Sequence, residues 1–184
     1  MKRTSKPQGS KEGAILTNDP SLTGWGWAVV DYSGMVLDVG CIKTSSESKA
    51  RRIRKGDDRM RRSSEINSIL INIVQKYNVK IILSELPHGS QNAAAAVMVG
   101  MTGDKMQTIA DCFGMSIEWY SEGDAKKHLL NKQSATKQEI IDAIGKHYDI
   151  PWFNIKYKDE AVADAMAIYH VAKAKSPVLK FLKQ

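Results

Sequence analysis

The sequence predicts a mixed α/β fold: a five-stranded sheet, three strands antiparallel and two parallel, flanked by helices. Three observations predict it. Three short β-prone runs follow one another early in the chain with tight connections, the pattern of an antiparallel meander. Two further strand-like runs are each preceded by a long helical stretch, as parallel neighbours joined by crossovers require. The rest of the chain is helical in pattern, enough to cover both faces of a sheet.

In chain order, an apolar run opens at residues 14–16 and reaches Asp19, and residues 25–30 form the second run. Asp31-Tyr-Ser-Gly34 is a turn, and residues 35–42 form the third run. Residues 44–56 are polar and rich in Ser and Arg, which reads as a loop. Residues 57–77 read as a helix, because Ile66, Ile69, Leu70, Ile73, Val74 and Tyr77 recur at the spacing of one buried face, and Asn78 ends it. Residues 80–85 are a short β-branched run bounded by Pro87 and Gly89, hence a buried strand. Residues 91–113 read as a long helix dense in small residues, Ala at 93–96 with Gly100 and Gly103, a face that admits a neighbouring backbone or a second subunit. Residues 116–120 are the last strand, and helices follow at 123–130, 136–148 and 159–175.

A chain of 184 residues with 42% hydrophobic composition fits one domain with a core. The expected organisation is a basic arm at 1–13, one domain at 14–175 and a basic tail at 176–184. No apolar run approaches the ~20 residues that span a bilayer, and the arm has no apolar stretch after it, unlike a signal peptide. Cys41 and Cys112 are far apart in apolar surroundings and read as buried free thiols of an intracellular, cytoplasmic protein. The net charge is +7, concentrated at residues 2–11, 51–62, 126–137 and from Lys173 onward. Any one cluster reads as a solvated surface; the excess suits a polyanionic partner.

Three acids sit where a carboxylate is unwelcome. Asp19 ends the first apolar strand, Glu85 ends the buried strand Ile81-Ile-Leu-Ser-Glu85, and Asp164 lies inside Ala161-Val-Ala-Asp-Ala-Met-Ala-Ile168. A charge against a core is costly unless it is paired or coordinates a cation. Each has a plain structural reading: Asp19 as a turn cap, Glu85 paired with a lysine, Asp164 paired with Lys158 or Lys173. All three together point to a convergent site for two Mg²⁺ ions, with Mn²⁺ able to substitute, since hard oxygen ligands suit these ions. Two such ions can activate a water and stabilise the leaving oxygen of a phosphodiester.

These residues also carry a resemblance. Ala14-Ile-Leu-Thr-Asn-Asp19-Pro-Ser-Leu-Thr-Gly24-Trp-Gly26 resembles the opening motif of the RuvC-type Holliday junction resolvases, members of the RNase H-like superfamily, whose strand plan matches the fold expected above. Ile81 to Glu85 resembles the strand that carries the family's second acid, and the Asp164-Ala-Met-Ala stretch its closing helix. Lys126, and Lys137 after Ser134-Ala-Thr, resemble its basic segment. The likeness runs over residues 14–173.

The resemblance implies a homodimeric, metal-dependent endonuclease that cuts branched DNA, four-way junctions above all. It implies Asp19, Glu85 and Asp164 as metal ligands, with Lys126 and Lys137 near the scissile phosphate. The family places a fourth ligand three residues before the final Asp, and Ala161 stands there. Glu160 is preferred as the substitute, on nearly the same helix face as Asp164, ahead of Asp159. The segment after Glu85 holds His88 where bacterial members have an aromatic, and Asn18 and Ser21 depart from the common pattern, which resembles phage and viral members more. His128, His147 and His170 show no metal-ligand spacing, and Trp25, Trp27, Trp119 and Trp152 read as core or interface residues.

Three other readings fit parts of the sequence. A non-catalytic branched-DNA-binding protein would keep the basic surface and explain Ala161. A nuclease on RNA–DNA hybrids would share the acids. A phosphotransferase of the actin and sugar-kinase type would share the Asp19-to-Gly24 turn, but the chain is short for two lobes and has no glycine-rich adenosine motif.

Overall fold

The computed structural model describes residues 12–47, 52–86, 92–132 and 134–182. Residues 1–11 of the expected arm, and His88 with its neighbours Pro87 and Gly89, lie outside the described residues. Three strands come first: β1 (Ala14–Asp19), β2 (Gly24–Asp31) and β3 (Val36–Lys43). Then follow α1 (Lys55–Tyr77), β4 (Val79–Glu85), α2 (Ala93–Phe113) and β5 (Ser116–Tyr120). The chain closes with α3 (Glu122–Leu130), α4 (Lys137–His147), α5 (Lys156–Lys175) and α6 (Pro177–Phe181).

The strands form one sheet in the order β3-β2-β1-β4-β5. β1 and β2 pair antiparallel, as do β2 and β3. β4 runs parallel to β1, and β5 parallel to β4. The expected mixed sheet is therefore present, with β1 in its centre. Alternation along the strands sorts side chains onto two faces. Leu16, Val29 and Ile82 pack with Ile66 and Leu70 of α1 and Met106 of α2. Ile15, Val30, Ile81 and Leu83 pack on the other face with Val162, Met166 and Ile168 of α5.

Asn78 ends α1 in the left-handed conformation, φ 53°, as a short polar residue can. Most elements fall within two residues of expectation, α1 starting at Lys55 inside the stretch expected as a loop, and two depart further. α5 begins at Lys156, three residues earlier than the pattern placed it, because Asp159 anchors its first turn. The stretch expected as a basic tail starts with α6, where Ser176 caps the helix through Leu179 N–H and Leu179 is buried. A five-residue helix has too little periodicity to read, so the sequence pattern missed it. Both cysteines are free, but Cys112 is exposed and Cys41 is half-buried, so the expectation of buried thiols fails.

α5 lies close on the sheet because its buried face is largely alanine: Ala161, Ala163, Ala165 and Ala167 are all buried. The tightest approach is at Gly26 of β2, where a Cβ would stand 2.0 Å from the carbonyl oxygen of Ala161. A side chain there cannot coexist with the helix.

Candidate active site

β1 and β4 run parallel side by side, with Asn18 opposite Ser84. The next residue on each strand is an acid, so Asp19 and Glu85 stand at adjacent strand ends. Period-2 alternation puts Asp19 on the face of Ile15 and Thr17, and Glu85 on the face of Ile81 and Leu83. That is the face covered by α5. Thr17 Oγ1 donates to the carbonyl oxygen of Ala165 at 2.6 Å, tying β1 to α5 one residue beyond Asp164.

Asn18, fully buried, fastens the two acid-bearing strands. Its Nδ2 donates to the Leu83 carbonyl at 3.0 Å, and its Oδ1 accepts from Ser84 Oγ at 3.1 Å. A buried amide that left these groups unmatched would cost about 1–3 kcal/mol. The turn after Asp19 is held from elsewhere. Thr23 and Gly24 N–H groups donate to Ser21 Oγ, and Arg62 of α1 donates to the Leu22 carbonyl, Thr23 Oγ1 and Thr44 Oγ1. Arg62 is 8% exposed. It belongs to the scaffold of this loop, although the sequence groups it with a surface basic cluster. Arg54 and Arg61 of that cluster pair with Asp57 and Asp58.

The electrostatics mark the convergence. Burial, then the charge of Asp164, pushes the Asp19 carboxyl up to about 7. Burial, then Asp19, Glu122 and Asp164, pushes Glu85 up to about 8. Burial raises Asp164 as well, against the opposing pull of Lys137. Lys137, at the start of α4, donates from Nζ to Asp164 Oδ2 at 2.6 Å. Burial lowers its pKa, but Asp164, Asp19 and Glu122 outweigh that and hold it above the usual lysine value. Lys126 pairs with Glu122 one helical turn away on α3.

The structure thus brings together Asp19, Glu85, Asp164 and Lys137 of the expected residues, and places Lys126 at their edge. The alternatives offered for Asp164, Lys158 and Lys173, are not its partner; Lys137 is. The two candidates for a fourth ligand fare differently. Asp159 is buried with Oδ1 accepting from Phe153 N–H at 2.8 Å and Oδ2 from Ile155 N–H at 3.0 Å, so it closes the loop into α5. Neither Asp159 nor Glu160 is among the charges that act most on the three acids. Glu122 is, on all three. The sequence offered little to find it by, since it reads as an ordinary first-turn acid after the Ser121 cap.

The three histidines, unremarkable in sequence spacing, gather on the outer side of α5. The His128 and His147 rings lie 5.4 and 4.7 Å from that of His170, and Tyr148 Oη is hydrogen-bonded to His170 Nδ1 at 3.0 Å. With Lys173 they line an open pocket of about 300 Å³. Trp25 is fully buried, while Trp27, Trp119 and Trp152 are partly buried against the two cores.

Among the described residues no three His, Cys, Asp or Glu side chains stand close enough to grip one ion as arranged. The donor set still fits a hard divalent cation. The acids at the strand ends are partly buried and mutually repelling, and Asp164 is answered by the ammonium of Lys137 and, more weakly, by that of Lys126.

No family model matches the chain. In sequence it is similar to the crossover junction endodeoxyribonuclease RuvC of Shewanella frigidimarina, 26% identical over 159 residues that make up 85% of each protein. Its fold is similar to that of Thermus thermophilus RuvC solved in complex with a Holliday junction substrate: TM-score 0.66, 19% identity, 86% of this chain and 92% of that one. It is also similar in fold to the yeast mitochondrial Holliday junction resolvase Ydc2: TM-score 0.58, 14% identity, 97% of this chain and 86% of that one.

Proposed function

We propose that this chain, RuvC-like in sequence and in fold, is a metal-dependent endonuclease that cleaves four-way DNA junctions and related branched DNA. The observation that supports the reading is the placement of Asp19 and Glu85 at adjacent strand ends beneath α5, the helix that carries Asp164, with Lys137 on Asp164. Likeness along 85% of a RuvC relative supports the same chemistry.

Asp19, Glu85 and Asp164 are the residues that would hold Mg²⁺ or Mn²⁺, two ions in the full site. Bound cations supply Lewis-acid activation of water and charge neutralisation at the leaving 3′-oxygen. The chain's own residues do the rest. The strand ends hold the carboxylates on a rigid sheet, pinned by Asn18 and Thr17. Lys137 is half-exposed, with one hydrogen-bond partner in Asp164. With a cation held by Asp164, the Lys137 ammonium would be available to a phosphate oxygen. Lys126 lies nearby on α3, paired with Glu122. Backbone contacts of this kind position DNA by shape more than by sequence.

A homodimer completes the proposal. α1 and α2 enclose an open groove of about 540 Å³ lined by Met60, Ile71, Met101, Ile109 and Phe113. Met60, Val97 and Phe113 are exposed on the same two helices. A second copy covering that face would set two sites on one junction. No helix among the described residues is long and apolar enough to cross a membrane.

The test is an end-labelled immobile four-way junction, a fork and a linear duplex, each incubated with protein and Mg²⁺ or Mn²⁺. Paired nicks in the junction, reduced at least about 10³-fold in Asp19→Asn, are expected. Equal cutting of fork and junction would mean a broader debranching nuclease. Junction binding without cutting in either metal would sink the catalytic reading and favour the non-catalytic binder.

A further inference from the structure

We propose that Glu122 is the fourth carboxylate of this site and ligates a divalent cation together with Asp19, Glu85 and Asp164, in place of the donor that Ala161 lacks. The inference rests on the metal-dependent reading above and assigns within it a residue at a different point of the fold.

Three placements lead to it. Tyr120, the last residue of β5, is the register partner of Glu85. The Leu86 N–H donates to the Tyr120 carbonyl at 2.8 Å, so β5 still runs alongside β4 where Glu85 ends it. Glu122 comes two residues later, in the first turn of α3 after the Ser121 cap. Topology therefore puts its Cα beside the Glu85 strand end, although 37 residues separate them in sequence, counting from 85 to 122. The field agrees with the geometry. The charge of Glu122 acts on Asp19, Glu85, Asp164 and Lys137, the groups of the site on β1, β4, α5 and α4.

The rivals are each occupied or misplaced. Ala161 offers a methyl group, and its backbone is pressed against Gly26. Asp159 spends both carboxylate oxygens on backbone N–H groups. Glu160 exerts no leading effect on any of the three acids. Glu122 has a long side chain, 41% exposed, in the first turn of α3.

Its present partner fits the same logic. Lys126 neutralises Glu122, and Lys137 neutralises Asp164. Each lysine is one that phosphate would need. With a cation held by both carboxylates, both ammonium groups would be available to phosphate, which would couple metal loading to DNA grip through the same two pairs. A carboxylate delivered from the start of α3, and not from α5, also leaves α5 free to be alanine at 161 and to lie tight on β2.

The test counts Mn²⁺ by isothermal titration calorimetry on the full chain, without DNA, so that activity plays no part. The variants are Glu122→Gln, Glu160→Gln, Lys126→Met and Asp19→Asn, each checked for an unchanged melting temperature at pH 5. Glu122→Gln is expected to weaken at least one Mn²⁺ equivalent by about tenfold or more. Glu160→Gln should stay within about twofold of wild type. Lys126→Met should bind Mn²⁺ as well or better, which separates a ligand from a residue that merely orients the lysine. Wild-type affinity in Glu122→Gln beside a loss in Asp19→Asn overturns the assignment and leaves the nuclease reading intact. A loss in Glu160→Gln, or an equal loss in Lys126→Met, overturns it too. No Mn²⁺ binding by the wild type at millimolar concentration overturns the metal-dependent reading itself.

Discussion

α5 carries two crowded clusters of like groups. Asp164 faces Asp19 and Glu85 at one point, and six residues along, roughly 9 Å at the rise of an α-helix, His170 faces His128 and His147. Both clusters show a displaced titration, from burial first and from like neighbours second, in opposite senses. The acids are pushed up, Asp19 to about 7 and Glu85 to about 8. His170 is pushed down to about 4, by burial first and then by His147, His128 and Lys173. The His170 imidazole sheds its charge simply by being neutral at pH 7, so it needs no counter-ion. The carboxylates remain under strain near neutral pH. Crowding of like groups thus points to chemistry only where ordinary titration fails to relieve it.

The largest effect should come from breaking the acid end mechanically. In Gly26→Ala the new methyl would stand 2.0 Å from the Ala161 carbonyl, a contact between two rigid backbones. The expected cost is about 3 kcal/mol or more, seen as a lower midpoint in urea, together with loss of junction cleavage. Gly100 on α2 meets nothing within 4 Å, so Gly100→Ala should be neutral or stabilising by about 0.5–1 kcal/mol. Equal losses at the two positions would mean that the close seating of α5 is not what Gly26 protects.

The two clusters also differ in how far the sequence exposes them. Asp19, Glu85 and Asp164 are legible because each interrupts a local apolar pattern, and periodicity alone says that the break lies against a core. The sheet could be read for the same reason: its strands are short, β-branched and punctuated by turns. Glu122 breaks no pattern, since its place is set by the pairing of β5 with β4. The histidines lie on three different helices and meet only through packing. Arg62 looks like one of several surface arginines until the β1–β2 turn folds over it. The choice between Glu160 and Asp159 illustrates the limit. Helical angle ranks them as neighbours of Asp164, but the loop before α5 decides what Asp159 does, and that loop carries no periodic signal.

A titration without divalent metal sharpens the comparison next. Asp19 and Glu85 have folded values above their unfolded ones of 3.8 and 4.5. The folded state then holds extra protons, so this stability is full below about pH 4 and is lost as pH rises through about 7 and 8. The pair should cost on the order of 2–4 kcal/mol between pH 4.5 and 8.5, after allowing for their mutual coupling. Chemical denaturation across that range measures it. Asp19→Asn with Glu85→Gln should flatten the curve and raise stability at pH 8 while abolishing cleavage, the trade expected of the proposed active site. A wild-type curve that is flat up to pH 8.5 would refute the convergence of the acids.

The smallest effect belongs to the histidine pocket and is masked by the acids. His170 has a folded value below its unfolded one of 6.5, so its contribution is full above pH 6.5 and is lost as pH falls toward about 4. The pocket is open, which limits the loss to on the order of 1 kcal/mol. Between pH 4.5 and 6.5 the larger acid slope runs the other way, and in chelator it hides the histidine contribution. Saturating Mn²⁺ should hold the carboxylates ionised and remove their slope, leaving stability that rises with pH up to 6.5 and then levels. His170→Gln should abolish that rise in Mn²⁺ and leave the fall above pH 6.5 in chelator unchanged. If the rise persists in the variant, the titrating group lies elsewhere and the three rings do not act as one cluster. If the fall above pH 6.5 disappears with it, the two clusters on α5 are coupled, and their treatment as independent sites is wrong.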